Sequence, residues 1–457
     1  MNRFNLLTAF STIFLWLGNN VFAQKETPNI LFILADDLGW KDLSYAGSQF
    51  YESPYIDSLA RESIVFTNAY AAAPVSSPSR VSLQTGRYPV RSGITDVLLG
   101  RYYYQKSLID SVCPVLPPEY PIDLPLSETT IAERIKKEGY NTYFVGKWHC
   151  SEDSLLYPQY RGYDLNFAGS NRGDVGKNGY FAPYNIPGVE ALNKDEYLTD
   201  RIGDEAIRMI ENNGDNPFFM FLSFYQVHVP LVAKQEKIRY FEEKAVQLGL
   251  DTVICYDNKP NWWKKQPFNN PYRDRLLQSD PVYAAMISIM DENIGKILDT
   301  LKKKGLYDNT IIVFTSDNGG LATSEKSPTS NLPLKGGKGH LYEGGIRVPL
   351  IVKMNEHYCS AGYSNEVISG IDFFPTFLDI IGEKSHDLDG RSFLPVIEFF
   401  DTGEKELYCL RTDIAEKVNL ILTEKQIADR LYIMLKKWQQ ECGVKIPTKN
   451  SKYKNCR

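Results

Sequence analysis

The sequence predicts an α/β protein with a mostly parallel central sheet, helices on both faces of that sheet and a small C-terminal α+β subdomain. Continuously apolar runs recur along the chain without alternation, as expected for strands that are buried on both faces of a parallel sheet. Segments with helical spacing lie between these runs. Each run ends in polar residues, and ligands bind beyond the carboxyl ends of such strands.

Length and composition are those of an ordinary globular protein. The chain has 457 residues, of which 43% are hydrophobic and 23% are charged, with a net charge of -5. This length accommodates one large domain and a smaller one, or two to three domains. The sequence has no basic stripe of the kind that would indicate a nucleic-acid partner. The seven cysteines contain no C-x-x-C pair that would indicate zinc or redox chemistry, but one or two disulfides can form from them.

The N-terminus has the pattern of an export signal. Arg3 precedes an apolar run from Leu6 to Leu17, and Val21-Phe22-Ala23 offers a cleavage site with small residues. The alternative is a membrane anchor, but the run is shorter than the roughly 20 residues that a spanning helix needs. We therefore expect a signal peptide over residues 1–23, no stable membrane anchor and a periplasmic or secreted protein.

Four apolar runs are predicted as strands, and polar residues follow each of them. The runs and the residues that follow are Asn29–Ala35 with Asp36-Asp37, Tyr140–Val145 with Gly146-Lys147-Trp148-His149, Pro217–Tyr225 with His228, and Thr310–Thr315 with Asp317-Asn318.

Helices are predicted between the strands and at the C-terminus. Helical spacing covers Thr130–Glu138, a segment from about Asp200 to Ile210, and Tyr283–Leu301. The expected domains after the signal are a catalytic domain over 24–395 and a subdomain over 396–457. That subdomain is predicted to contain a hairpin, Ile397–Leu410, with its turn at Thr402-Gly403. A helix then places Ile427, Leu431, Leu435 and Trp438 on one face.

Two acidic pairs predict a metal site. Asp36-Asp37 and Asp317-Asn318 offer only hard oxygen ligands, which suit calcium or magnesium rather than zinc or copper. A single such pair is commonly a helix cap or a surface turn. Two pairs at two strand ends of one sheet favour the metal.

A set of cationic and histidine side chains is expected at the same sheet edge. Its members are Arg80, Lys147, His149, His228 and Lys338. Any one of them alone is more often a surface or core residue. Together with a divalent metal they would bind a doubly charged tetrahedral anion or its transition state.

The stretch PVSSPSR, residues 74–80, predicts a nucleophile at a helix start. Pro78 fits the first helical position, which makes Ser77 the N-cap and leaves Ser76 just outside the helix. The positive end of the helix would favour an anion beside Ser76. The alternative is that Ser76 is an ordinary capping serine.

These residues resemble a known family. Ser76-Ser77-Pro78-Ser79-Arg80, followed by Thr85-Gly86-Arg87, is similar to the signature C/S-x-P-S-R with a following T-G-R of formylglycine-dependent sulfatases of the alkaline phosphatase superfamily, in its serine form. Further segments match the family's motifs in the same order: Asn29–Asp37, Gly146–His149, Thr315–Gly319, Gly336–Arg347 and Leu388–Leu394.

The resemblance implies an alkaline phosphatase-like fold, a reaction and its residues. Ser76 would be oxidised to formylglycine (3-oxoalanine) by a radical sulfatase-maturating enzyme before export from a bacterium. The expected calcium ligands, with Mg²⁺ as the alternative ion, are Asp36, Asp37, Ser76, Asp317 and Asn318. The expected catalytic residues are Ser76, Arg80 and Lys147 for the hydrate and sulfate, His149 as the base that releases sulfate, and His228 and Lys338 at the leaving oxygen.

The resemblance also suggests a substrate. GYFAPY, residues 179–184, is similar to a segment of sulfatases that act on galactose or N-acetylgalactosamine in sulfated glycans. Arg172 and Tyr180 are therefore candidates for the substrate pocket, although structural packing explains them equally well.

One departure from the family concerns the C-terminal region, which is shorter. Several tens of residues normally separate the L-D-G-R-S motif from the hairpin, whereas here Leu394-Pro395-Val396 leads directly into Ile397. Two alternatives to a sulfatase stay open: a phosphoester hydrolase of the same superfamily that uses unmodified Ser76, and a catalytically impaired glycan-binding remnant.

Overall fold

The structure is a computed structural model that describes residues 27–99, 115–257, 274–323, 327–354, 361–383, 387–390, 397–398, 405–410, 413–445 and 448–449. The predicted signal peptide, the domain boundary at 395/396 and the hairpin turn at Thr402-Gly403 lie outside these residues.

The helices of the described residues alternate with strands along most of the chain. They are α1 (Pro54–Arg61), α2 (Ser76–Thr85), α3 (Pro89–Ser92), α4 (Ile131–Lys137), α5 (Leu198–Glu211), α6 (Gln235–Gln247), α7 (Pro281–Lys303), α8 (Glu343–Ile346), α9 (Phe373–Ile380) and α10 (Lys425–Glu441). Short 3-10 turns occur at Ser44–Ala46, Ser154–Leu156, Pro158–Tyr160 and Gly370–Asp372.

The strands form one large sheet and two small ones. They are β1 (Asn29–Ala35), β2 (Ile64–Tyr70), β3 (Val115–Leu116), β4 (Asn141–Gly146), β5 (Leu165–Phe167), β6 (Phe218–Ser223), β7 (Thr310–Ser316), β8 (Leu350–Lys353), β9 (Gly362–Ser369), β10 (Ile397–Glu398), β11 (Lys405–Glu406) and β12 (Thr448–Lys449).

The large sheet has eight strands in the order β5-β4-β6-β1-β7-β8-β2-β9. β1 lies parallel to both of its neighbours, β6 and β7, and β4 lies parallel to β6. β8 runs antiparallel to β7 and to β2. The sheet is therefore mostly parallel, with one reversed strand.

Two layers of helices cover the sheet. In β1, Leu31 and Ile33 belong to a buried cluster that includes residues of α1, α5, α6 and α7. Ile30 and Phe32 point the other way and belong to a second cluster with residues of α2, α4 and α9. Both faces of β1 are thus apolar, which accounts for its sequence without alternation. The predicted α/β fold is confirmed.

The start of α2 differs from the prediction. The helix begins at Ser76 and its N-cap residue is Val75, so Ser76 lies in the first turn rather than outside the helix. Pro78 is the third helical residue, and the Ser77 hydroxyl accepts a hydrogen bond from the backbone N–H of Leu98, which lies outside the helix. The physical reason is that several N–H groups of the first turn lack intrahelical partners, so a proline there need not occupy the first position.

The C-terminal part contains the expected elements. β10 and β11 pair antiparallel, and α10 covers the predicted terminal helix. Leu431 is buried as predicted, but Ile427 is exposed, because the buried side of α10 runs through Ala428 instead. No disulfide joins the four cysteines in the described residues, Cys150, Cys255, Cys409 and Cys442. No helix in those residues is both long and apolar enough to span a membrane.

Candidate active site

The sheet order explains how distant residues meet. β4, β6, β1 and β7 are consecutive neighbours and run parallel, so their carboxyl ends lie side by side. The predicted polar residues follow these strands. Ser76 and Arg80 come from α2, and Lys338 comes from the loop before α8. All predicted metal and catalytic residues except His149 are connected by hydrogen bonds and ion pairs.

Three carboxylates form the centre of this network. Asp36, Asp37 and Asp317 are fully buried, and one oxygen of each lies within 4.8 Å of the others. The Asn318 amide donates to Asp37 Oδ1 at 2.8 Å, while its own Oδ1 is buried without a hydrogen-bond partner among the described residues. Three carboxylates and an unpaired amide oxygen are the donor set that calcium or magnesium takes. These residues therefore fit such an ion.

Ser76 lies against this cluster. Its hydroxyl donates to Asp36 Oδ1 at 3.2 Å, and the Lys147 ammonium lies 3.4 Å from Ser76 Oγ. The side chain is buried at the first position of α2. Position 76 thus presents one oxygen between a carboxylate and an ammonium group.

Arg80 joins the two ends of the carboxylate cluster. Its Nε donates to Asp317 Oδ2 at 2.9 Å, and its Nη2 lies 3.4 Å from Asp36 Oδ1. Nη1 donates to the carbonyl of Lys147 and to Ser223 Oγ, at 2.9 and 2.7 Å. One turn separates Arg80 from Ser76, so both side chains leave the same side of α2.

Lys147 and Asp36 form a fully buried ion pair with an Nζ to Oδ2 distance of 2.6 Å. Burial alone raises the pKa of Asp36, but Lys147, His228 and Arg80 outweigh it and hold that pKa below its ordinary value. Burial lowers the pKa of Lys147, which Asp36 only partly offsets. The carboxylate therefore stays ionised at neutral pH.

His228 and Lys338 meet at Asp37. Lys338 Nζ donates to Asp37 Oδ2 at 2.7 Å and lies 2.9 Å from His228 Nε2. His228 Nδ1 lies 2.6 Å from the Val229 carbonyl, which can only accept, so Nδ1 carries a hydrogen. Burial lowers the pKa of Lys338, but the negative charges of Asp37 and Asp36 raise it by more than burial lowers it. The pKa of Lys338 therefore lies above its ordinary value.

His149 stands apart from the ion-pair network. Its backbone is left-handed, with a φ of 52°, and both of its ring nitrogens lie 3.4 Å from Ser77 Oγ. Burial, followed by the charges of Lys147 and Arg80, lowers the pKa of His149 well below its ordinary value. The ring is therefore neutral at neutral pH and can accept a proton.

The charges of the site are balanced without a metal. Three buried carboxylates, Asp36, Asp37 and Asp317, face three cations, Arg80, Lys147 and Lys338. A divalent cation in the carboxylate cluster would leave the site positive. Such a site attracts an anion and stabilises charge that develops on it.

The two predicted substrate residues lie in different environments. The Arg172 guanidinium donates to Asn185 Oδ1 at 3.2 Å, and its Nε is buried without a hydrogen-bond partner in the described residues. Tyr180 is fully buried, and its hydroxyl lies 2.6 and 2.8 Å from the carbonyls of Tyr225 and His228. Tyr180 thus supports the backbone of the His228 segment and has no surface with which to contact a substrate.

Two residues of the site were not predicted. Ser223, the last residue of β6, accepts from Arg80. Gly146, the last residue of β4, has a φ of 106°, and a Cβ there would lie 1.8 Å from the Ser223 carbonyl oxygen. A polar residue and a glycine at strand ends are the signals that could have identified them.

A cleft of about 520 Å³ opens beside the Lys338 segment. One wall includes Asn331 and Lys335, and another includes Glu406, Tyr408 and Asn419. Its size falls in the range of small-ligand sites, and its lining combines polar side chains and an aromatic ring with apolar residues such as Leu276 and Leu332.

Comparison with known proteins finds one matching family model and several similar proteins. Residues 28–383 match the family model described as Sulfatase. The human N-acetylgalactosamine-6-sulfatase is 30% identical over 394 residues, which cover 83% of this chain and 67% of that protein. Mouse Arylsulfatase J is 29% identical over 421 residues, 88% of this chain, and the chain spans only 60% of its length.

Solved structures share the fold. The crystal structure of Ps i-CgsB in complex with k-i-k-neocarrahexaose superposes with a TM-score of 0.70 at 26% identity, and the match covers 90% of this chain and 93% of that one. The phosphonate monoester hydrolase of Agrobacterium radiobacter has a TM-score of 0.59 at 19% identity, which shows likeness of fold alone.

Proposed function

The chain belongs to the sulfatase family of the alkaline phosphatase superfamily, and we therefore propose that it hydrolyses the sulfate esters of a glycan, with a formylglycine made from Ser76 and a bound calcium ion. The observation that carries this proposal is the position of Ser76 Oγ, 3.2 Å from a carboxylate of the buried cluster and 3.4 Å from the Lys147 ammonium. A reacting oxygen at that point would face both a metal and a cation.

In this proposal each residue has one task. Asp36, Asp37, Asp317 and Asn318 would hold the calcium ion together with residue 76, and the ion would supply Lewis acidity toward the sulfate oxygens. Hydrated formylglycine would supply one hydroxyl for attack and a second hydroxyl whose deprotonation expels sulfate. The remaining tasks belong to the protein's own side chains.

The cations would bind and orient the sulfate group. Arg80 and Lys147 lie on the Ser76 side of the cluster, where they would stabilise negative charge on the sulfate oxygens. His228 and Lys338 lie at Asp37, and one of them would give a proton to the leaving oxygen. His149, neutral because of its lowered pKa, would accept the proton whose removal releases sulfate.

The proposed substrate is a glycan with a sulfate on galactose or N-acetylgalactosamine. The similarity to human N-acetylgalactosamine-6-sulfatase and to a structure with a bound neocarrahexaose supports this class. Arg172 is the proposed substrate contact, because this residue is only partly buried whereas Tyr180 is completely buried. We place further sugar units of the glycan in the cleft lined by Lys335 and Tyr408.

The proposal also includes the export of the protein and its maturation by another enzyme. The N-terminal pattern of residues 1–23 supports export to the periplasm or medium, and a serine at position 76 supports oxidation by a radical maturating enzyme in a bacterium. The sulfated glycan and this enzyme are the two proposed partners.

Two measurements on protein from its native host test the function. Mass spectrometry of the peptide around residue 76 should show the loss of two hydrogens, and sulfated galactose and N-acetylgalactosamine should release sulfate. Ser76→Ala should abolish release while the melting temperature stays close to that of the wild type. Unmodified Ser76 with phosphate-ester hydrolysis would favour the phosphoester alternative, and glycan binding without release would favour the remnant.

A further inference from the structure

We infer that Asn331 is a positioning residue for Lys338: its buried side-chain amide joins the loop that carries Lys338 to the loop that follows β7. The amide thereby sets where the Lys338 ammonium lies in the site. This inference rests on the proposed function, in which Lys338 lies at the leaving oxygen.

The amide nitrogen of Asn331 lies where three segments of backbone meet. Nδ2 is 2.9 Å from the carbonyl oxygen of Gly320, 3.2 Å from that of Gly336 and 3.1 Å from that of Gly344. These carbonyls belong to the loop after β7, the loop before α8 and α8 itself. Carbonyls only accept, so the atom that faces them is the nitrogen, and its two hydrogens are shared among three acceptors. Asn331 is only 2% exposed, so water does not easily replace the amide.

The segment after β1 holds Asn331 from the other side. The indole N–H of Trp40 donates to the backbone carbonyl of Asn331 at 3.1 Å. A Cβ at Gly39 would lie 2.7 Å from Asn331 Oδ1, and a Cβ at Gly320 would lie 2.8 Å from the same oxygen. The side chain therefore fits tightly between the loops that follow the two metal-binding strands, β1 and β7.

The backbone of Lys338 needs such contacts to hold its place. Gly336 and Gly337 precede Lys338, and Gly336 has a φ of 73°. Glycine permits many backbone conformations, so the local sequence does not fix the position of residue 338. Asn331 holds the Gly336 carbonyl, and the Lys338 N–H donates at 3.1 Å to the Gly320 carbonyl, which also accepts from Asn331. Two hydrogen bonds at one carbonyl thus fix the Lys338 loop to the loop after β7.

The position of the Lys338 ammonium matters for the proposed proton transfer. Nζ lies 2.7 Å from Asp37 Oδ2 and 2.9 Å from His228 Nε2, and movement of the loop would lengthen both distances. A general acid acts only within hydrogen-bond reach of the atom that it protonates, and a small misplacement lowers the rate. A sugar oxygen needs this proton to leave, whereas nitrophenolate is stable as an anion. Misplacement of Lys338 should therefore affect a sulfated sugar more than nitrophenyl sulfate.

Asn293 offers a matched control. It is 1% exposed, and its Nδ2 donates to Asp200 Oδ1 and to the Ile289 carbonyl, both at 2.9 Å. Asn293→Ala removes a buried amide from α7 without removing a contact to the Lys338 loop. Both alanine variants lose buried hydrogen bonds and some stability, so a difference between them reports on the position of the loop.

Hydrogen exchange followed by mass spectrometry tests the positioning on protein with unmodified Ser76, and so does not depend on sulfatase activity. Asn331→Ala should increase the exchange of peptides that cover residues 335–345, while peptides of β1 exchange as in the wild type. Asn293→Ala should leave residues 335–345 unchanged. Asn331→Ser keeps a hydroxyl donor and should show a smaller increase, and it replaces the alanine variant if that variant does not fold. Unchanged exchange of residues 335–345 in the folded variant would overturn the inference.

A kinetic test uses the matured enzyme, with rates divided by the aldehyde content at residue 76. The measured quantity is kcat/KM, which covers all steps up to departure of the leaving group. Asn331→Ala should lower it about tenfold for the sulfated sugar and less than about twofold for nitrophenyl sulfate. Asn293→Ala should change both values by the same small factor.

The outcomes separate the inference from the proposed function. Equal losses on the two esters in Asn331→Ala would mean that the residue only stabilises the fold, and would overturn the inference. A wild type that releases sulfate from neither ester would instead overturn the proposed function, and the exchange measurement would then decide whether Asn331 positions Lys338.

Discussion

Single residues in this site depend on one another because their charges are buried. Asp36 faces Lys147 at 2.6 Å and Arg80 at 3.4 Å, and all three side chains are almost completely excluded from solvent. Removal of one member leaves an uncompensated buried charge, which commonly costs 3–5 kcal/mol. Substitution of a neutral residue such as His149 avoids this cost. Its effect on activity is therefore easier to distinguish from an effect on folding.

His149→Ala should stop the release of sulfate after the first step. The variant lacks the neutral imidazole that would accept the last proton, so sulfate should stay bonded to residue 76. Mass spectrometry of the peptide after incubation with substrate measures this product. His340→Gln, at a partly exposed histidine, serves as the control and should show no retained sulfate. Rapid turnover by the alanine variant would contradict the role of His149.

The same residue predicts a pH dependence of stability. Because the pKa of His149 is lowered well below 6.5, the ring stays neutral in the folded protein while the unfolded chain takes up a proton below that pH. The unfolding free energy should then fall by about 1.4 kcal/mol per pH unit below pH 6.5 on account of this group. His149→Gln should reduce the slope by that amount in urea titrations at several pH values. An identical slope in variant and wild type would refute the assignment.

At the level of elements, α2 and the carboxyl ends of the strands provide most side chains of the candidate site. All ten residues of α2 are buried, so the helix holds Ser76, Ser77 and Arg80 in fixed positions. The strand ends approach one another closely, and Gly146 is the tightest point. Its absent side chain lets the carbonyl of Ser223 come near, just before the chain turns into Lys147.

Gly146→Ala should destabilise the protein by about 3 kcal/mol, because the new methyl group would overlap the Ser223 carbonyl on the neighbouring strand. Gly139→Ala is the matched control: it also has a positive φ, 85°, but nothing lies within 4 Å of its Cβ position. That control should lose about 1 kcal/mol from backbone strain alone. Urea midpoints measure both, and equal losses would mean that the close approach is unimportant.

At the level of the whole molecule, the fold brings together residues from six separate parts of the chain: four strand ends, α2 and the loop before α8. Asp37 and Asp317 are 280 positions apart, yet the backbone N–H of Asp37 donates to Asp317 Oδ1 at 3.1 Å. A cation bound between them would link the two halves of the sheet. Its binding would therefore be visible in the global stability.

Calcium should raise the unfolding free energy by about 3 kcal/mol at a hundredfold excess over its dissociation constant, and a chelator should reverse this gain. Thermal melts with and without calcium measure the effect. Asp317→Asn should lose the response, because one of the three carboxylates is neutralised. Asp308→Asn, at an exposed carboxylate just before β7, should keep it. A wild type that melts identically with and without calcium would contradict the metal site.

The sequence predicted the sheet and the meeting of its polar ends because both follow from simple patterns. Strands buried on two faces need continuous apolar runs, and parallel strands place their carboxyl ends at one edge. The start of α2 could not be fixed in this way, since Pro78 is tolerated at any of the first helical positions without an N–H partner. The burial of Tyr180 was also not predictable, because loop sequences have no period that gives the direction of a side chain.

The complete burial of α2 has a consequence for the order of events in the cell. An enzyme that oxidises Ser76 must reach its side chain, and in the folded protein that side chain is only 3% exposed. Oxidation would then be confined to the interval between synthesis of the segment and closure of the fold around it. Any mutation that speeds folding would shorten this interval and leave a larger share of stable, well-folded but inert molecules.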